Sequence, residues 1–229
     1  MIMIDLNCDM GELDDAQLEA ELMQHVTSDN IACGGHAGDE ATMERTTLLA
    51  LERGVRIGAH PGYPDRTNFG RIEIAMKPAE IAATVHQQIA HLDGIVRSLG
   101  GAIVHVKPHG ALYNVAVHNA EVARAIADGV VRWNPNVILF GLAGSPMLRV
   151  WHDLGLNVWR EAFADRRYEP DGTLRSRKLP DALITDPTEA AAQAARFAAE
   201  GVADTICVHG DTPGAVEILK ACNNTLKSG

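Results

Sequence analysis

The stretch Ile103-Val104-His105-Val106-Lys107-Pro108-His109-Gly110 decides the fold. An apolar run of strand length ends in lysine and histidine, and proline and glycine stop it there. The same arrangement recurs at Asp5-Leu6-Asn7-Cys8-Asp9, at Gly58-Ala59-His60-Pro61 and at Val208-His209-Gly210-Asp211. These segments lie far apart along the chain. A β/α barrel carries the C-terminal ends of its parallel strands to one face, and that face holds its chemistry. The pattern predicts an enzyme in which polar residues from several strand ends meet in one pocket.

Working outward, seven βα units can be counted. Strands are expected at Met3–Asp9, Asn30–Cys33, Arg56–His60, Ile103–Lys107, Val137–Leu142, Asn157–Phe163 and Thr205–His209. They are mostly apolar on both faces, as parallel strands covered by helices are. The clearest helix is Pro78–Leu99, where Ile81, Val85, Ile89, Leu92, Val96 and Leu99 form one apolar stripe. Asp39 caps a helix running to about Leu51. Glu189–Ala199 is Ala-rich and helix-forming, and Thr212-Pro213 opens the last helix. Two stretches read as long loops, Gly62–Arg71 and the Arg-rich Asp165–Pro180. Loops of that length in a compact domain are often functional.

The 229 residues suit one domain, 1–229. A net charge of −10 argues against a nucleic-acid partner, which needs a basic face. No apolar run approaches the ~20 residues of a membrane span. Met1-Ile2-Met3-Ile4-Asp5 meets an acid too early for a signal peptide, so the cytoplasm is expected. The cysteines Cys8, Cys33, Cys207 and Cys222 form no CxxC pair. Cys33 reads as a small buried thiol ahead of a nucleophile. Phosphate-loop, dinucleotide and Gly-x-Ser-x-Gly motifs are missing, against self-contained ATP use, nicotinamide binding and esterase chemistry of that fold.

Asp5, Asn7 and Asp9 are spaced i, i+2, i+4, which puts them on one strand face. Polar side chains facing a barrel interior are costly unless they serve something. Asp5 lies deeper and also reads as a structural hydrogen-bond partner; Asp9 also reads as a helix cap. His105, Lys107 and His109 share a face in the same way. His105 reads as a core histidine, Lys107 as an anion clamp or, if desolvated, a base, and His109 as a proton carrier. His60 and His209 are proton-transfer or metal candidates. Asp211 also suits a helix N-terminus. His36 sits in Gly34-Gly35-His36-Ala37-Gly38-Asp39, where backbone can approach a ligand closely.

Several blocks together resemble a known family. Ile4–Asn7, Asn30–Asp39, Ile57–Asp65, Val106–Asn114, Phe163–Tyr168 and Cys207–Asp211 are similar, in order, to the LamB/YcsF family of 5-oxoprolinase A subunits. The resemblance implies a distorted seven-stranded β/α, TIM-like barrel of the glycoside hydrolase and deacetylase type. It implies cleavage of 5-oxoproline to glutamate coupled to ATP hydrolysis, with ATP and Mg2+ as co-substrate and with two partner subunits, B and C. In one departure, Glu200-Gly201-Val202 leads straight into Ala203-Asp204-Thr205, where many relatives carry a longer stretch.

On that reading Lys107 is the electrostatic clamp and His60 and His109 move protons. Asp5 and Asp9 orient water or the ring N–H. Arg66 or Arg166 takes the substrate carboxylate, and Asn7, His36, His209 and Asp211 complete the binding site. The alternatives are a metal-dependent deacetylase or amidohydrolase, with Asp9, His36 and His60 as ligands, and a non-catalytic protein that presents the lactam to a partner.

Overall fold

Seven parallel strands pair in chain order, and the last closes on the first. They are β1 (Asp5–Met10), β2 (Ser28–Ala32), β3 (Arg56–His60), β4 (Ile103–Val106), β5 (Ile138–Leu142), β6 (Asn157–Phe163) and β7 (Thr205–Cys207). The computed structural model describes residues 4–228, so Met3, expected to open the first strand, lies outside the described residues. The helices are α1 (Ala16–Leu22), α2 (Glu40–Arg53), α3 (Pro78–Ser98), α4 (Gly110–His118), α5 (Ala120–Trp133), α6 (Pro146–Asp153), α7 (Pro187–Glu200) and α8 (Ala215–Ser228). The expected seven-stranded β/α barrel is the fold. No described helix is long and apolar enough to cross a membrane.

Alternation along β1 divides the molecule into two cores. Leu6, Cys8 and Met10 point outward into the apolar layer between strands and helices, where all three are buried. Ile81, Val85, Ile89, Leu92 and Val96 of α3 are buried in the same layer, as their spacing predicts. Asp5, Asn7 and Asp9 point inward and are buried too. The barrel interior is therefore polar, and each layer must satisfy its own hydrogen bonds.

The lowest layer belongs to Asp5. Its carboxylate accepts from Thr27 Oγ1 at 2.5 Å, Ser28 Oγ at 2.7 Å and Thr205 Oγ1 at 2.5 Å, and it pairs with the half-exposed Arg56 guanidinium. This is the N-terminal end of the strands, opposite the expected pocket. Asp5 is thus not a reacting group; it ties β1, β2, β3 and β7 together. One layer up, His105 stacks on Phe140 with centroids 4.1 Å apart, and its Nε2 meets Asn30 Oδ1 at 2.9 Å. Burial holds His105 near a pKa of about 3, so the ring is neutral. It is a core histidine, and it fits because β3 carries glycine beneath it. A Cβ at Gly58 would lie 2.0 Å from His105 Nε2.

The last helix starts later than its sequence suggests. Thr212 donates its hydroxyl to buried Asp165 at 2.5 Å, Gly214 takes φ +78°, and α8 begins at Ala215. Asp39 caps α2 as expected, accepting from Thr42 N at 2.8 Å. Replacing Asp5 with alanine strands several buried donors and should cost about 3 kcal/mol in urea unfolding. A loss within about 0.5 kcal/mol of zero would contradict the role given to this layer.

Candidate active site

The C-terminal strand ends open into a cleft of about 930 Å3. Asp9, Glu12, His60, Lys107, His109 and Tyr113 line it together with Phe163, Arg166, Arg177, His209 and Asp211. Both long loops form its walls. The 62–71 loop contributes Arg71, and the 165–180 loop contributes residues from Arg166 to Lys178. The second loop is braced by antiparallel bridges between Arg166 and Leu183 and between Tyr168 and Leu174.

Lys107, just past β4, is the buried cation of the floor. Its Nζ lies 2.8 Å from Asp9 Oδ1, 3.0 Å from Glu161 Oε1, 3.1 Å from Cys207 Sγ and 3.4 Å from Asn7 Oδ1. Burial opposes its charge, but Asp9, Cys207 and Glu161 together raise it well above the ordinary lysine value. Lys107 is therefore a fixed ammonium, and the desolvated-base reading fails. That reading weighed burial without the carboxylates, which arrive from β1 and β6. Burial likewise opposes ionisation of Asp9, yet His60 and Lys107 hold it well below the usual carboxylate range. Tyr113 Oη and Glu161 Oε2 are each buried without a hydrogen-bond partner, and after burial itself the Glu161 charge pushes the Tyr113 phenol further up.

Beside this floor stand three histidines and Glu12. Glu12 Oε1 is 2.8 Å from His36 Nε2, 3.0 Å from His109 Nδ1 and 3.5 Å from His60 Nε2. His36 and His109 stack in parallel with centroids 3.6 Å apart. The far nitrogens of two rings are fixed by backbone carbonyls, His60 Nδ1 by Lys107 O at 2.7 Å and His109 Nε2 by Phe69 O at 2.9 Å. Phe69 adopts φ 55°, which aims that carbonyl inward. Burial drops His36 to about 4, and it stays neutral. Burial favours the acid form of Glu12, but hydrogen bonds from His109 and His36 keep it an anion.

Next to Asp9 and Cys207, with ligand atoms within 4.8 Å of theirs, His209 donates from Nδ1 to buried Asp165, 3.0 Å from Oδ2. Burial would raise Asp165, but His209 and Thr212 hold it at about 2. His209 stacks on Phe163 and leaves Nε2 without a described hydrogen bond, on a residue that lines the cleft. Arg166 donates to Arg175 O at 2.7 Å, its Nε has no partner, and it makes no salt bridge among the described residues. Burial, then the Arg177 charge, lowers it to about 10, still a cation at neutral pH. Asp211 lines the mouth, with its carboxylate taken by Arg71 and by Arg177 at 3.1 Å.

Of the residues expected at the site, Asp9, His60, Lys107, His109, Arg166, His209 and Asp211 meet in the cleft. Four do not. Asp5 lies at the other end of the barrel. Asn7 sits under Lys107, donating to Thr205 Oγ1 at 2.7 Å. His36 is buried behind His109. Arg66 spends its guanidinium on the carbonyls of Gly34 and Gly38, at 3.2 and 2.6 Å. Three site residues escaped the sequence reading. Glu12 lies beyond the strand in a turn, Glu161 is one acid in β6, and Asp165 opens a loop. The i, i+2 alternation that singled out Asp9 would also have placed Glu161 and Phe163 on one face of β6. Cys33 is a buried thiol pushed up to about 12 by burial, not a nucleophile.

Residues 4–229 match the LamB/YcsF family model. The chain is 45% identical over 243 residues to a protein from Bacillus licheniformis named as the A subunit of 5-oxoprolinase, covering 100% of this chain and 96% of that one. It is 47% identical over 243 residues to the protein of the same name from Chloroflexus aggregans, with the same coverage of 100% and 96%. The crystal structure of a lactam utilization protein from Thermus thermophilus superposes with a TM-score of 0.92 at 39% identity, covering 98% of this chain and 96% of that one. A peptidoglycan N-acetylglucosamine deacetylase catalytic domain from Eubacterium rectale shares the fold alone, with a TM-score of 0.54 at 10% identity over 99% of this chain and 84% of that one. Full-length identity, barrel topology and strand-end blocks agree: the chain belongs to the LamB/YcsF family.

Proposed function

We propose that this chain carries the lactam site of an ATP-coupled 5-oxoprolinase assembled with two further subunits, B and C. The observation that carries the reading is the cleft itself. A buried arginine with no salt bridge among the described residues shares the cleft with Asp9, Lys107 and a histidine–aspartate pair, which suits an anionic, unreactive cyclic amide. The relatives' shared name and the Thermus lactam utilization protein support the substrate class. That the relatives are named as one subunit of an enzyme supports the existence of partners.

An unstrained amide is a poor electrophile. Transfer of the γ-phosphoryl group of ATP to the lactam oxygen, with ADP leaving, makes C5 open to water. Water adds at C5, the C5–N bond breaks as nitrogen takes a proton, and a second water releases phosphate to leave glutamate. The cleft exceeds what a pyrrolidone ring needs, so it has room for the phosphoryl donor. Arg166 takes the substrate carboxylate, since a planar guanidinium matches it bidentately. His209, oriented by Asp165, is the general base for the attacking water. Asp9 orients that water or the ring N–H. Lys107 keeps Asp9 ionised and sets a positive charge against the carboxylates of the floor.

The test is glutamate release from 5-oxoproline by the reconstituted complex. Release should require this chain and ATP together; release without either would overturn the reading. His209→Gln should lower kcat by about 10²–10⁴-fold with KM little changed. A chain that only presents the lactam to a partner would still bind 5-oxoproline and tolerate this substitution. Arg166→Ala should raise KM for 5-oxoproline by about 10–100-fold, the loss of one charged hydrogen-bond pair. Lys107→Met should abolish turnover and, by stranding two buried carboxylates, destabilise the fold by about 3–5 kcal/mol. Normal turnover in that variant would remove Lys107 from the account.

A further inference from the structure

We propose that Glu12, His60 and His109, backed by the stacked ring of His36, form a binding site for one divalent transition-metal ion of the zinc class. The four come from the loops and ends of β1, β2, β3 and β4, adjacent staves of the barrel. One ligand atom from each lies within 4.8 Å of every other. Measured between atoms, the edges are 2.8, 3.0 and 3.5 Å from Glu12 Oε1 and 3.0 Å between His109 Nδ1 and His60 Nε2. A tetrahedral ion bound at 2.0–2.1 Å spaces its ligands by about 3.4 Å.

The orientation of two rings gives the independent reason. A carbonyl oxygen only accepts, so His60 Nδ1 and His109 Nε2 each carry a hydrogen. The other nitrogens, His60 Nε2 and His109 Nδ1, are the ones that reach Glu12, and a metal ion there would take the place of the protons those rings share with the carboxylate. These two nitrogens face each other across 3.0 Å, with a carboxylate oxygen at the same point. Such a convergence of ligand atoms, at spacings close to those of a tetrahedral shell, is what a metal ion between them would use. Holding the far nitrogen on a backbone carbonyl is also how metal-binding histidines are oriented. Imidazole with one carboxylate suits zinc and its transition-metal neighbours, whereas magnesium and calcium prefer all-oxygen shells. His60 and His109 are thereby assigned to holding an ion, and the proton transfer expected of them passes to His209. The site is read from ligand atoms alone and does not rest on the lactam chemistry.

Untagged protein, stripped with a chelator and dialysed, should bind about one zinc ion per chain by calorimetry and elemental analysis. Cobalt(II) in its place should give the intense visible absorption of a four-coordinate nitrogen–oxygen site. A saturating ion at about a hundredfold its dissociation constant should raise Tm by about 5–10 °C. Glu12→Gln and His109→Gln should each weaken binding by at least roughly tenfold, while His152→Gln, on the exposed end of α6, should not. Substoichiometric binding, six-coordinate cobalt only, or affinity unchanged by both variants would mark an adventitious ion and overturn the site. If both variants unfold, the cobalt spectrum of the natural chain decides. No substrate is present in these measurements, so this site and the lactam reading can fail separately.

Discussion

The ammonium of Lys107 is the constraint on which the upper barrel depends. It is buried between Asp9 of β1 and Glu161 of β6, strands on either side of β7. Two carboxylates that close would repel each other in a low-dielectric interior without a cation between them. Lys107 can stay charged only because both are there. Lys107 and Asp9 fix each other's ionisation, and with Glu161 they clamp β1, β4 and β6 at the level where the cleft begins. The Phe163 ring, 5.4 Å from Nζ, covers the remaining side.

Below that level the interior is a stack of satisfied polar layers. Asp5 gathers hydroxyls at the base; Asn7, Asn30 and His105 fill the middle. Asn30 Nδ2 donates to Asn7 Oδ1 at 2.8 Å and Asp9 Oδ1 at 2.9 Å, linking the middle to the charged floor. Above it, the partners thin out. Arg166 Nε and Tyr113 Oη are buried and unpaired, and His209 presents an open nitrogen to the cleft. Structure gives way to function along the barrel axis, over the length of one strand.

Much of this was legible in the sequence. The i, i+2 spacing of Asp5, Asn7 and Asp9, and of His105, Lys107 and His109, correctly separated interior side chains from those under the helices. Depth was harder to read. Asp5 and Asp9 look alike in sequence, yet four residues of strand rise put them at opposite ends of the barrel. Contacts between strands distant in sequence were invisible, which is why Lys107 read as a possible base before Glu161 was beside it. Glu12 and Asp165 sit in turns, where no periodicity marks a side chain's direction. Arg66 and Arg166 read equally as carboxylate binders; two loop carbonyls claim the first, and one binds the second but leaves its Nε unpaired.

The central claim is that the lactam binds in this cleft, on this chain. A crystal structure with 5-oxoproline tests it most directly. The substrate carboxylate should lie on the Arg166 guanidinium, with the ring above Asp9 and C5 within reach of a water held by His209 Nε2. Density for the lactam elsewhere on the molecule, or an empty cleft at saturating 5-oxoproline, would contradict it.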